Sequence, residues 1–267
     1  MATAAGLEAD EVAAYRRDGF VVPRYRLPAE RLVGLQRAMP RLLADNPEHA
    51  DEPLICPHVP GSGAQRLSAG PVWRETATDP AIVGMAADLQ GENLILWGSA
   101  VFYKPAREGR GTPWHRDGRY WPIEPLATTS VWIAIWDTTR ENGCLRCIPG
   151  SHLSRRIGRH FTADRADMLI QETLAAEEYD ESLAADIELE AGQMVLFDVF
   201  TIHVAGPNQG RQPRAGFALR FMPSSSLFRH DAAERREHRG NAHDTRPLIL
   251  VRGRDLHGGN DFRRGHP

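Results

Sequence analysis

The sequence predicts a mainly β jelly roll behind a helical cap, on three observations. The first third carries apolar residues at helical spacing, the stretch from Leu94 to Pro223 breaks into short β-branched and aromatic runs punctuated by Gly, Pro and Asn, and no internal repeat appears. Many short strands after a helical segment suit a jelly roll. A chain of 267 residues with 42% hydrophobic content can bury one substantial core. The expected organisation is a single domain over residues 1–267: a helical cap over about 8–91, a jelly-roll core over about 94–223 and a polar C-terminal extension over 229–267.

Taken in order, the helical periods run over 8–20, 28–46 and 79–91, with Gly19, Pro47 and Gly91 marking their ends. Strands are expected at 94–104, 113–115, 129–137, 144–149, 187–192, 194–198, 200–204 and 215–223. Between Ser154 and Asp186 an acidic, alanine-containing stretch interrupts the β pattern, and a helix-bearing insertion is expected there, either a lid or a solvated excursion. Residues 229–247 are polar and charge-mixed, and 247–251 form a brief apolar run.

Composition narrows the class. With 32 basic against 35 acidic residues and a net charge of −3, the chain has no basic stripe, so nucleic acid is not an expected partner. The N-terminus shows neither a charged n-region nor an apolar h-region, and no apolar run is long enough to span a bilayer; a cytoplasmic protein without membrane contact is expected. Cys56, Cys144 and Cys147 cannot build a disulfide framework, and the Cys144/Cys147 spacing lacks the second pair a zinc site needs, so packing roles are expected. Lys104 is the only lysine among 32 basic residues. Its retention marks either a site that needs a compact ammonium or chance survival under a coding bias.

Chemistry concentrates in four residues. His115 and Asp117, two apart on an extended segment, point to one side while Arg116 points away. With a distal His203 they offer two imidazoles and a carboxylate, a set that suits non-haem Fe(II) with open positions. Arg214 follows His203 by eleven residues (214 − 203 = 11), and its planar fork can hold the far carboxylate of a dicarboxylic cosubstrate. A single histidine is more often a core or surface residue than a ligand, but the strand after 213 strengthens the metal reading. Alternation puts Arg214, Gly216, Ala218 and Arg220 on one face and Ala215, Phe217, Leu219 and Phe221 on the other. Two arginines beside two small residues describe a pocket for an anion, whereas the blander alternative is an edge strand with one wet face. Trp132 shares a face with Ser130 and Ala134, opposite Val131 and Ile133, and either face could line the barrel.

The runs 114–121 (WHRDGRYW), 142–152 (NGCLRCIPGSH) and 203–214 (HVAGPNQGRQPR), with the strand of Trp132, together resemble the phytanoyl-CoA dioxygenase family of Fe(II)- and 2-oxoglutarate-dependent oxygenases over roughly residues 10–225. The resemblance implies a double-stranded β-helix of the cupin-like jelly-roll type, iron at His115, Asp117 and His203, and 2-oxoglutarate on Arg214; Lys104 and Trp132, from their places on neighbouring strands, are further candidate cosubstrate contacts. It also implies dioxygen as a substrate, release of succinate and CO2, and hydroxylation of an unactivated C–H bond of a small molecule: a secondary metabolite, a small acid or a phosphonate. Desaturation or cyclisation are the alternatives inside the family, and a non-catalytic cupin-like binding protein is the alternative outside it. Val204 and Ala205 are apolar where the family often has small polar residues, so hydroxyl contacts to the cosubstrate are expected from Thr129, Ser130 or Thr201. Asp117 stands where related halogenases have a small residue, which disfavours halogenation. His152 is expected to be structural; Arg119, Tyr120, Trp121, Arg146 and Arg220 are candidate substrate contacts. Oligomeric state leaves no mark on the sequence.

Overall fold

The computed structural model describes residues 6–163, 165, 167–232 and 243–267. Its elements in chain order are α1 (Ala9–Asp18), β1 (Phe20–Val21), α2 (Ala29–Ala44), β2 (Leu54–Ile55), α3 (Val72–Ala77), α4 (Pro80–Gln90), β3 (Leu94–Lys104), β4 (Thr112–His115), β5 (Ile123–Glu124), β6 (Thr129–Ala134), β7 (Leu145–Cys147), β8 (His160–Thr162), β9 (Glu172–Leu174), β10 (Ala185–Ile187), β11 (Met194–Asp198), β12 (His203–Ala205), β13 (Arg214–Pro223), β14 (Leu227–Phe228) and β15 (Ile249–Arg252).

Local chemistry sets the helix limits. A capping box between Glu8 and Glu11 starts α1, and Gly19, at φ 85, ends it in a left-handed turn that a side chain would resist. The Asp79 carboxylate accepts from the Ala81 amide and Pro80 fills the first turn, which starts α4. Along α2, Leu35, Met39 and Leu42 recur at four and three and are buried together.

Two antiparallel sheets form the jelly roll. The larger runs β1-β11-β6-β13-β3-β15, with β2 added beside β3; the smaller runs β10-β7-β12-β4. The outer face of the large sheet packs under the helices, where Val131, Ile133, Phe217 and Leu219 meet Leu35, Met39 and Trp73. Burying each such side chain contributes about 1.5–3 kcal/mol. The inner face meets the small sheet through Trp132, Ala134 and Ala218 on one side and Leu145, Cys147 and Ala205 on the other. This settles which face of β6 turns inward: Ser130, Trp132 and Ala134 do.

Four expectations need correction. The stretch from Ser154 to Asp186 contains no α-helix among the described residues; β8 and β9 form a hairpin, followed by 3-10 turns at Ala176–Glu178 and Glu181–Leu183. Two of its carboxylates answer arginines elsewhere, Glu172 taking Arg119 and Glu181 taking Arg146, while Glu177 pairs with Arg159 inside the stretch. Asp180 accepts from the Ser182 amide, a local turn that competes with a continuing helix. Within the expected cap, two short strands join the large sheet, β1 on β11 and β2 on β3. The strand expected at 200–204 begins only at His203, because Asp198 caps a turn through the Phe200 amide. At the C-terminus β15 pairs with β3, so the extension is partly built into the sheet; residues 233–242 of its polar stretch lie outside the described residues. No described helix is long and apolar enough to cross a membrane.

Candidate metal and cosubstrate site

His115 ends β4 and His203 begins β12, and the two are direct partners across the small sheet. Asp117 lies just past the strand, where the chain enters a 3-10 turn over Asp117–Arg119. One ligand atom from each of the three lies within 4.8 Å of the others. His115 Nε2 is 3.5 Å and His203 Nε2 is 4.0 Å from Asp117 Oδ1. Both imidazoles are aimed alike: Nδ1 of His115 lies 2.8 Å from the Pro113 carbonyl and that of His203 lies 3.0 Å from the Thr201 carbonyl. An Nδ1–H donated to a carbonyl leaves Nε2 as the lone-pair donor toward a metal. Ser130 Oγ donates at 3.5 Å to Asp117 Oδ2, and Arg116 turns away to the carbonyls of Phe200 and Ser151.

Electrostatics keep His203 and Asp117 in the forms that suit metal binding. Burial, and then the neighbouring His115, pull His203 down to about 4, so its ring is neutral at physiological pH. For Asp117 burial is the largest influence and pushes upward, but the adjoining His115 and His203 rings and Arg220 together bring it below the usual carboxylate range. It therefore stays ionised.

Behind the triad lies a narrow chamber lined by Lys104, Ser130, Trp132, Phe197, His203 and Arg214 among others. Arg214 is only 1% exposed, its guanidinium sits 4.3 Å over the Trp132 ring, and its Nε and Nη2 are buried with no hydrogen-bond partner. Burial lowers it to about 10, still a cation at neutral pH. A buried cation with donors unspent is costly unless an anion completes it, which is what a cosubstrate carboxylate does. Gly216 makes the arrangement possible: a Cβ there would fall 1.7 Å from the Trp132 ring. Lys104 pairs with Arg214 across β3 and β13 and donates from Nζ to the carbonyls of Ala205 and Gly206. Burial first, then Arg214, hold its pKa well below the ordinary lysine value.

In front of the triad opens a cleft of about 1440 Å³, lined by Arg119, Tyr120, Trp121, Arg220 and the β8–β9 hairpin, with His115 and Asp117 at its floor. Arg119, however, pairs with Glu172 at 3.1 Å.

Three expected contacts lie elsewhere. Thr129 occupies the helical face of β6, where its hydroxyl is shared by Tyr15 and the Gln90 amide. Thr201 donates to the Gly19 carbonyl, outside the chamber. Strand alternation leaves Ser130 as the hydroxyl of the three that faces the metal. Arg146 is on the outer face of β7, bonded to Asp186 at 2.7 Å and Glu181 at 2.6 Å, because Leu145 and Cys147 take the inner face. Phe102 and Phe197 line the chamber unanticipated, although alternation along 94–104 and 194–198 contained the signal.

A dicarboxylic cosubstrate chelating iron needs a metal triad with open positions, a cation one molecule-length behind it and a separate approach for the substrate. That division defines a non-haem iron oxygenase of the cosubstrate-dependent type. The family model for Phytanoyl-CoA dioxygenase (PhyH) matches residues 15–216. The ectoine dioxygenase of Sphingopyxis alaskensis is 27% identical over 242 residues, covering 83% of this chain and 78% of its own, and that of Bordetella bronchiseptica is 26% identical over 245 residues, covering 83% and 76%. Among solved structures, the non-heme monooxygenase ThoJ aligns with TM-score 0.70 at 24% identity, covering 96% of this chain and 88% of its own. EctD from S. alaskensis with 2-oxoglutarate and 5-hydroxyectoine aligns with TM-score 0.64 at 24% identity, covering 84% and 79%. At that identity the structures speak for the fold. The chain belongs to the phytanoyl-CoA dioxygenase family, whose members are Fe(II)- and 2-oxoglutarate-dependent oxygenases, and its buried ligand triad and unpaired Arg214 fit both the metal and the cosubstrate.

Proposed function

We propose that the protein hydroxylates an unactivated C–H bond of a small molecule, consuming 2-oxoglutarate and releasing succinate and CO2. The observation that carries this reading is that two cavities meet at the triad: a small chamber lined by Arg214 and Trp132, and a larger cleft lined by Tyr120 and Trp121. His115, Asp117 and His203 would hold Fe(II), and Arg214 would hold the distal carboxylate of 2-oxoglutarate, with Trp132 stacked on the guanidinium. Bound iron supplies the oxidation that couples cosubstrate decarboxylation to substrate attack. The chain's own task is positional. Ser130 steadies Asp117, the two backbone carbonyls hold both rings in one tautomer, and Phe102 and Phe197 give the chamber apolar walls. Asp117 fills the carboxylate position of the triad, which argues against halogenation. A purely binding cupin would need only the guanidinium or the triad, whereas among the described residues both stand together.

Anaerobic addition of Fe(II) and then 2-oxoglutarate to the apoprotein tests the cofactor half. A visible metal-to-ligand charge-transfer band is expected. Aerobic screening by succinate release, with mass spectrometry of the product, tests the rest: a gain of one oxygen means hydroxylation, and a loss of two hydrogens would replace it with desaturation or ring closure.

A further inference from the structure

Beyond helping to keep Asp117 ionised, Arg220 is assigned no ligand in the chemistry described so far. It lies six residues beyond Arg214 on the same face of β13, a separation of about 20 Å along a strand. One small dicarboxylate chelating the metal beside Arg214 does not span that distance to offer Arg220 its far carboxylate. The Arg220 guanidinium instead sits where chamber and cleft meet, 5.1 Å from the Trp121 ring, 5.8 Å from Trp97 and 6.0 Å from Phe102. Its Nε is buried without a hydrogen-bond partner, and among the described residues no carboxylate forms an ion pair with it. The strongest opposite charge acting on it, that of Asp117, belongs to the candidate metal triad. The three rings flank the cation, which is half-buried, so an incoming oxyanion would meet a partly desolvated fork. Arg119, by contrast, is already neutralised by Glu172 and stands half-exposed.

We infer that Arg220 is the specificity residue of the outer cleft and binds an oxyanion, a carboxylate or a phosphonate, on the substrate. The inference rests on the assignment of that cleft to the substrate. An acid bound there places the carbons next to its anionic group over His115 and Asp117, so oxidation is directed close to the acid rather than to a distant chain end.

The test uses the anaerobic enzyme loaded with Fe(II) and saturating 2-oxoglutarate, so that Arg214 is occupied. Benzoate, methylphosphonate and neutral benzamide are titrated while tryptophan fluorescence is followed, since Trp97 and Trp121 flank the guanidinium. At least one acid should give a saturable change, benzamide should bind about tenfold or more weakly than benzoate if benzoate is the acid that binds, and Arg220→Gln should abolish the acid response. Arg220→Lys should recover part of it, and the charge-transfer band should survive in both variants. A response to benzamide equal to that of the acids, no response to either acid, an unchanged response in Arg220→Gln, or loss of the band in that variant would each overturn the assignment. The wild-type comparison of acid with amide stands even if a variant fails to fold. Absence of the band in wild type would instead count against the oxygenase reading itself.

Discussion

The two faces of β13 share one backbone and do opposite things. On one, Ala215, Phe217, Leu219 and Phe221 are fully buried under the helices, and every contact is a solved packing problem. On the other, Arg214, Gly216, Ala218 and Arg220 look into the space between the sheets, and two guanidiniums keep donors unspent. The first face stabilises the fold; the second holds groups that cost stability until a ligand arrives. Function is placed where the strand is least satisfied.

Substitutions can break this contrast. The largest effect is expected on the packed face. Phe217, which meets Trp73 edge-on at 5.1 Å, should cost about 3–5 kcal/mol of unfolding free energy as Phe217→Ala, read by chemical denaturation. If the loss were below about 1 kcal/mol, the core assignment of that face would fail. Next comes the metal. Because even outer partners of metal ligands cost about 10–100-fold, Asp117→Ala should lower iron affinity and 2-oxoglutarate turnover by about 100-fold or more, and substantial residual hydroxylation at saturating Fe(II) would remove Asp117 from the ligand set.

On the opposite face of the same strand, Arg214→Ala should weaken 2-oxoglutarate by about 10–100-fold at unchanged iron affinity, while the denaturation midpoint holds or rises. A fall in stability comparable to that of Phe217→Ala would mean that both faces are structural. The smallest effect separates core cost from pocket cost by pH. His58 is fully buried with Nδ1 at 2.7 Å from Ser99 Oγ, and burial, then the charges of Arg246, Arg74 and His266, pull it down to about 3. Unfolded histidine titrates near 6.5, so between the two values the unfolded state holds the extra proton. This contribution is complete above pH 6.5 and is lost progressively as pH falls toward 3, about 2 kcal/mol by pH 5. His58→Gln should flatten that part of the stability profile in denaturation series at pH 7 and 5.

Much of this was legible beforehand because alternation is a local property. The spacing of His115 and Asp117, the faces of the strand from 214 and the helical periods at 8–20, 28–46 and 79–91 all survive in the fold. What failed had a different origin. The acidic stretch from 154 to 186 lacked a strong apolar period, and distant arginines claimed its carboxylates, so it became a hairpin and turns. Thr129, Thr201 and Arg146 were plausible by residue type, but their direction depends on which face of each sheet meets the other.

By itself, the sequence determined the ligand types, their order and the alternation that keeps Arg214 and Arg220 on one face, since these follow from backbone geometry over a few residues. Only the tertiary structure decided that His203 pairs with His115, that the Ser130 and Trp132 face turns inward, and that among the described residues Arg220 pairs with no acid while Arg119 and Arg146 do. Those outcomes depend on contacts between segments far apart in the chain, and no local period encodes which distant carboxylate a guanidinium will find.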